Sequence, residues 1–115
     1  MVTSEEAFEA KKLAAKYGVV GRVAGSYRMA GYEVEVLDAS LDSPLNFKAW
    51  RRGEKLAVRV YSKSGRVPAG VVEELASKAE GWKPVLVLYG AGPKVSGEVL
   101  EKSRELGVSI RRFRR

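Results

Sequence analysis

Cysteine and histidine are both absent from the 115 residues. Without cysteine there is no disulfide, no thiolate zinc site and no cysteine nucleophile. Without histidine the commonest general base and the commonest transition-metal ligand are missing, so any catalysis would rest on carboxylates, lysines or tyrosines. Glutamine is absent too, and Asn46 is the sole asparagine. This depletion of thermolabile side chains, beside abundant Lys, Glu and Arg, predicts an intracellular, archaeal-like protein from a hyperthermophile. No apolar run approaches the length of a membrane span, and the N-terminus lacks a signal-peptide core, so a cytoplasmic location without membrane contact is expected. No repeat, low-complexity stretch or linker interrupts the chain. One domain over residues 1–115 is expected, large enough to bury roughly two thirds of its unfolded surface.

What the chain has in excess is positive charge, 21 Lys and Arg against 14 Asp and Glu for a formal +7. Such a balance points to a polyanionic partner, DNA or RNA. The signs are also segregated. Acids gather in Glu5–Glu9, Glu33–Asp42 and Glu73–Glu80, cations in Lys48–Arg66 and Arg111–Arg115.

Patterning gives the order of elements. Ser4 reads as an N-cap for a first helix, with Ala7, Ala10, Leu13, Ala14 and Tyr17 at helical spacing and Gly18 as a break or a tolerated weak point. Val19 to Ala30 reads as a second helical segment, in which Gly21 and Gly25 would permit close packing on a sheet. Gly31 stops it. Three strands follow by period-two alternation: Tyr32 to Leu37, Leu45 to Trp50 and Leu56 to Tyr61, the last two joined by Arg51-Arg52-Gly53-Glu54. A helix from Pro68 to Ala79 leads through Gly81 to the apolar run Val85–Tyr89, the mark of a strand covered on both faces. A second helix from about Val95 to Leu106 precedes a last strand at Val108-Ser109-Ile110. The fold class is therefore α/β, a mixed five-stranded sheet in which an antiparallel meander is followed by α-β-α-β crossovers.

Lys48, Trp50, Arg51, Arg52, Lys55 and Arg59 fall on the last two meander strands and their turn, an aromatic among cations. Cations contact phosphate, and an indole stacks on unpaired bases. Arg111, Arg112, Arg114 and Arg115 add a basic tail that would meet phosphates without regard to sequence. Gly90-Ala91-Gly92-Pro93 lacks the third glycine or the lysine of a phosphate loop and reads as an ordinary turn, with Ser96 as a cap. An assembly role is the competing reading. Val19, Tyr27, Met29 and Trp50 would then form a face for a homodimer or for a partner in a nuclease complex.

The helix leading into GYEVEV, the strands LNFKAW and LAVRVY, and the block VVEELASKAEGWKPVLVLYGAGPKVSGEVLEKSRELGVSI resemble the restriction-endonuclease-like PD-(D/E)xK nucleases, of the Holliday-junction-resolvase and Mrr type. The resemblance runs from about Val19 to Phe113, leaving 1–18 as an N-terminal helix, 19–113 as a nuclease-like core and 111–115 as the basic tail. It implies an aspartate opening the second strand and an acid–spacer–lysine on the third, together holding Mg²⁺ and positioning the attacking water. In this chain Asn46 stands at the first position and Arg59 and Tyr61 at the other two, so the motif is degenerate. A cation beside the metal position opposes its binding. A shifted acidic set of Glu35, Asp42 and Lys63 would be the alternative, an active Mg-dependent endonuclease. The expectation is a non-catalytic nucleic-acid-binding protein with no cofactor.

Overall fold

Thr3 opens the first helix, and residues 3–114 are described in the computed structural model. The Thr3 hydroxyl accepts from the Glu6 amide at 3.1 Å, and the Glu6 carboxylate accepts from the Thr3 amide at 2.9 Å. This reciprocal box satisfies two amides that a first turn leaves without partners. The cap is thus Thr3 and not Ser4, because only Thr3 is followed at the third place by a glutamate able to answer it.

The helix α1 (Ser4–Met29) folds back on itself at Gly18, where φ 61° and ψ −132° interrupt the helical backbone. Gly21 and Gly25 serve this hairpin and not the sheet. A Cβ on Gly21 would overlap the Leu13 carbonyl oxygen, and one on Gly25 would stand 3.0 Å from the Ala10 carbonyl oxygen. Two glycines one turn apart let the arms cross at backbone contact. Arg28 then ties the open end, its guanidinium 3.1 Å from Glu9 and 3.5 Å from Glu6.

The strands are β1 (Glu33–Val36), β2 (Phe47–Arg51), β3 (Glu54–Tyr61), β5 (Lys83–Tyr89) and β7 (Ser109–Phe113), side by side in the order β1-β2-β3-β5-β7. The pairs β1/β2 and β2/β3 are antiparallel, β3/β5 and β5/β7 parallel. This is a mixed α/β architecture. The two-residue turn Arg52-Gly53 sets the hairpin register, with Gly53 at φ +76°. A small parallel pair, β4 (Gly65–Arg66) with β6 (Pro93–Lys94), lies outside this sheet and was not expected. Two residues each are too few to carry an alternation. The pair is held by hydrogen bonds from the Gly65 amide to the Gly92 carbonyl at 3.1 Å and from the Val67 amide to the Lys94 carbonyl at 2.9 Å, and Gly92 fits because a Cβ there would lie 2.6 Å from Ser64 Oγ.

Each face of the sheet buries its own core. Val20, Val23 and Ala24 of α1 lie over Phe47, Ala49, Val58, Val60, Val85 and Val87. On the other face α2 (Ala69–Ala79) and α3 (Gly97–Leu106) lay Val71, Val72, Leu75 and Val99 over Tyr61, Leu86 and Leu88. Each such side chain contributes about 1.5–3 kcal/mol on leaving water, and β5 is unbroken in apolarity because it feeds both cores. Ser96 caps α3, accepting from the Val99 amide at 3.3 Å, and Gly107 at φ +72° ends it.

Candidate nucleic-acid interface

The two ends of the sheet differ in chemistry. At the end where β2 begins and β3 finishes stand Asn46, Arg59 and Tyr61, the residues expected at the motif positions. Asn46 is fully buried, and its side chain is wholly used. Its carbonyl accepts from the Val60 amide at 2.7 Å, and its amide donates to the Asp38 and Ser40 carbonyls at 2.9 and 2.7 Å. It pins the loop between β1 and β2 onto β3. Tyr61 is buried in the core beneath α2.

Arg59 is a correction to the sequence reading. It shares the face of Ala57 and Tyr61, which α2 covers, and is only 5% exposed. Its Nη1 lies 3.5 Å from the Val71 carbonyl and 3.6 Å from Glu74, while Nε has no partner among the described residues. A side chain sealed under a helix does not reach phosphate. These positions do not fit a divalent cation either: the amide at 46 is already spent, and the guanidinium at 59 repels one.

The shifted acidic set is only partly assembled. Asp42 and Lys63 do meet, at 3.1 Å, but both are well exposed. Glu35 pairs across the sheet with Lys48. No group of three or more acidic, His or Cys side chains converges among the described residues.

At the opposite end, where β2 finishes and β3 and β5 begin, a groove of about 660 Å³ opens on the α1 face. Val23, Leu56, Val85 and Val87 form its floor, with Tyr27, Tyr32 and Phe113 around them. Arg51, Lys83 and Arg111 border it with charge, against one carboxylate, Glu54; Lys55 and Arg112 also touch it, but their charged groups lie over Trp82 and on the Gly90 and Pro93 carbonyls. That carboxylate is already engaged. It accepts from the Tyr32 hydroxyl at 2.7 Å and from Arg51 Nε at 2.7 Å, and these two hydrogen bonds hold its pKa below the ordinary glutamate range. Arg51 is in turn fixed, its Nη1 on the Ala30 carbonyl at 2.9 Å and its guanidinium 4.1 Å from the Tyr32 ring centre. Lys83 and Arg111 make no ion pair with the described residues. Burial pushes the Tyr27 hydroxyl pKa up, against the opposing pull of Arg111.

The remaining expected contacts scatter. Trp50 meets Trp82 edge to face at 6.1 Å on the other side of the sheet, and the ammonium groups of Lys48 and Lys55 lie 4.6 and 5.6 Å from the Trp82 ring centre. Glu33 and Glu35 occupy the neighbouring strand on that side, opposite Trp50 and Lys48, which cancels much of its charge. Arg52 is exposed in the turn, and Arg114 is exposed at the end of the described chain. Arg112 is anchored, donating to the Gly90 and Pro93 carbonyls at 2.6 and 2.9 Å. Its guanidinium therefore braces the loop after β5. Arg115 lies outside the described residues. Of the apolar set, Val19 and Tyr27 pack partly onto the α1-side core while Trp50 lies on the opposite face, so the four make no single patch.

Sequence reasoning missed Lys83. The signal was available: two and four residues before Val85 and Val87, period-two spacing puts Lys83 on their face. The unbroken apolar run concealed which residues share a side.

No helix among the described residues is long and apolar enough to cross a membrane. No family model matches the chain, and no curated protein matches it. Among solved structures it is similar to Pyrococcus furiosus SfsA in complex with Ca²⁺, at 20% identity and a TM-score of 0.45 over 59% of this chain. The match takes in 41% of that protein, so this chain spans less than half its length. The likeness is one of partial backbone course, and neither the calcium nor any activity carries over.

Proposed function

We propose that this chain binds nucleic acid through the phosphate backbone without cutting it, on a degenerate restriction-endonuclease-like core. The observation that carries the reading is the gathering of Arg51, Lys83 and Arg111 around one groove whose single carboxylate among the described residues, Glu54, is already paired. A concave surface lined by one sign of charge focuses its field and raises the local concentration of the opposite ion. The nuclease-like core is supported by the element order and the mixed sheet. The absence of cutting is supported by the structural roles of Asn46 and Arg59, neither of which can serve a metal.

The test is binding of labelled duplex and single-stranded DNA and of structured RNA across a salt series, with cleavage followed in Mg²⁺ or Mn²⁺. Three phosphate contacts give a slope of log K against log salt of about −2 to −3. A flat response removes the electrostatic reading. Metal-dependent cutting abolished by Asp42→Ala would replace it with the shifted acidic site.

A further inference from the structure

The groove's floor has chemistry that phosphate contact alone does not use. Val23, Leu56, Val85 and Val87 are apolar, Tyr27, Tyr32 and Phe113 are aromatic, and Ser26 and Ser109 are small side chains that leave room above them. Cations stand only at the border. A duplex offers such a concavity little but its sugar–phosphate exterior, because its bases are stacked inward. An unpaired nucleotide offers both parts, an apolar ring face for the floor and a phosphate for the rim. The volume, about 660 Å³, is that of a small-ligand site of some 300–1,000 Å³ and is too small to seat a double helix.

We infer that the groove between α1 and the β3–β5–β7 part of the sheet is a site for an unpaired nucleic-acid strand, one base lying on the apolar floor and its phosphates on Lys83, Arg111 and Arg51. The inference rests on the nucleic-acid reading above and adds the class of strand and the place where it binds. The groove lies on the α1 face of the sheet, whereas the Arg59 side chain lies on the face that α2 covers. Tyr27 supports the assignment. It lines the groove, and its hydroxyl makes no hydrogen bond to the described residues. As a phenol hydroxyl it is a donor for a phosphate or base oxygen.

The test compares a labelled oligothymidylate of about ten nucleotides with a blunt duplex, on the parent chain and on Ser109→Trp. That substitution fills the groove from the start of β7 and leaves every cation in place. The expected result is single-strand binding weakened about tenfold and duplex binding affected far less. Methyl shifts of Val85 and Val87, measured on the parent chain, give a readout that does not depend on the variant folding. They should move with the oligothymidylate and stay still with the duplex. Salt-dependent binding of both nucleic acids, with still methyls and no effect of Ser109→Trp, overturns the unpaired-strand site and leaves the phosphate reading standing. No salt-dependent binding of either overturns both.

Discussion

The Asn46 side-chain carbonyl accepts the Val60 amide at 2.7 Å across fourteen residues of chain, inside the core. On the proposed nuclease-like reading position 46 corresponds to an aspartate, and here the side chain needs an amide. Its NH₂ donates to two loop carbonyls, of Asp38 and Ser40, which a carboxylate cannot do. Asn46→Asp would set a buried carboxylate against two carbonyl oxygens, at a cost of about 3 kcal/mol or more. The expected outcome is a urea midpoint well below that of the parent and no metal-dependent cleavage. A variant of parental stability that cuts in Mg²⁺ would refute the structural role.

The meander and the two crossovers were legible because each leaves a local signature, an alternation or an unbroken apolar run, whereas Gly18 alone does not say whether a helix breaks there or only weakens. What a strand's own pattern cannot say is which neighbour covers it. Lys48 and Arg59 lie on the same face of the sheet, one strand apart, and period-two spacing treats them alike. In the fold α2 crosses β3 and β5 and stops short of β2, so Arg59 is sealed and Lys48 is not. The same limit applies to the tail. Arg111 and Arg112 alternate, so one lines the groove while the other braces the loop after β5. The groove itself is assembled from α1, the β2–β3 turn, β5 and β7, and no window of sequence contains it.

The α1 hairpin should be intolerant of a single methyl group. In Gly21→Ala the new Cβ overlaps the Leu13 carbonyl oxygen, and backbone cannot move aside as a side-chain tip can. The arms must separate, losing the Ala10 contact and straining the Arg28 ion pairs. A loss of about 2 kcal/mol or more is expected. Gly25→Ala, with its nearest atom at 3.0 Å, should cost less. Denaturant melts of the two variants side by side check the order, and equal effects would contradict it.

Acid should loosen the groove border and the hairpin together. Glu54 is held below the ordinary glutamate range by hydrogen bonds from Tyr32 and Arg51, and Glu9 by its hydrogen bond from Arg28. Glu6 is lowered mainly by the Thr3 amide. A folded pKa below the unfolded one means that the unfolded chain takes up protons first. The stabilisation is therefore complete above the ordinary glutamate value of about 4.3 and is lost as pH falls through the lowered values. Urea midpoints should be level near about pH 6 and drop toward about pH 3. Glu54→Gln should remove part of that drop, and an unchanged profile would show that its pairing adds nothing.

Arg59 and Lys83 make opposite predictions, and together they separate a structural cation from a binding one. Among the described residues, buried Arg59 has no partner for Nε and one carboxylate, the exposed Glu74, 3.6 Å away. Desolvating a guanidinium for so little return is unfavourable, and an apolar side chain of similar length suits the space between β3 and α2. Arg59→Met is expected to leave stability unchanged or raise it by about 1 kcal/mol, with nucleic-acid affinity and salt slope as in the parent. Lys83 is exposed at the start of β5 on the groove rim. Lys83→Glu should leave the melting temperature nearly unaltered, weaken binding severalfold or more at low salt, and flatten the salt slope by about 1. If Arg59→Met weakened binding while Lys83→Glu did not, phosphate would be engaged at the Asn46 end of the sheet, and the groove would not be the interface.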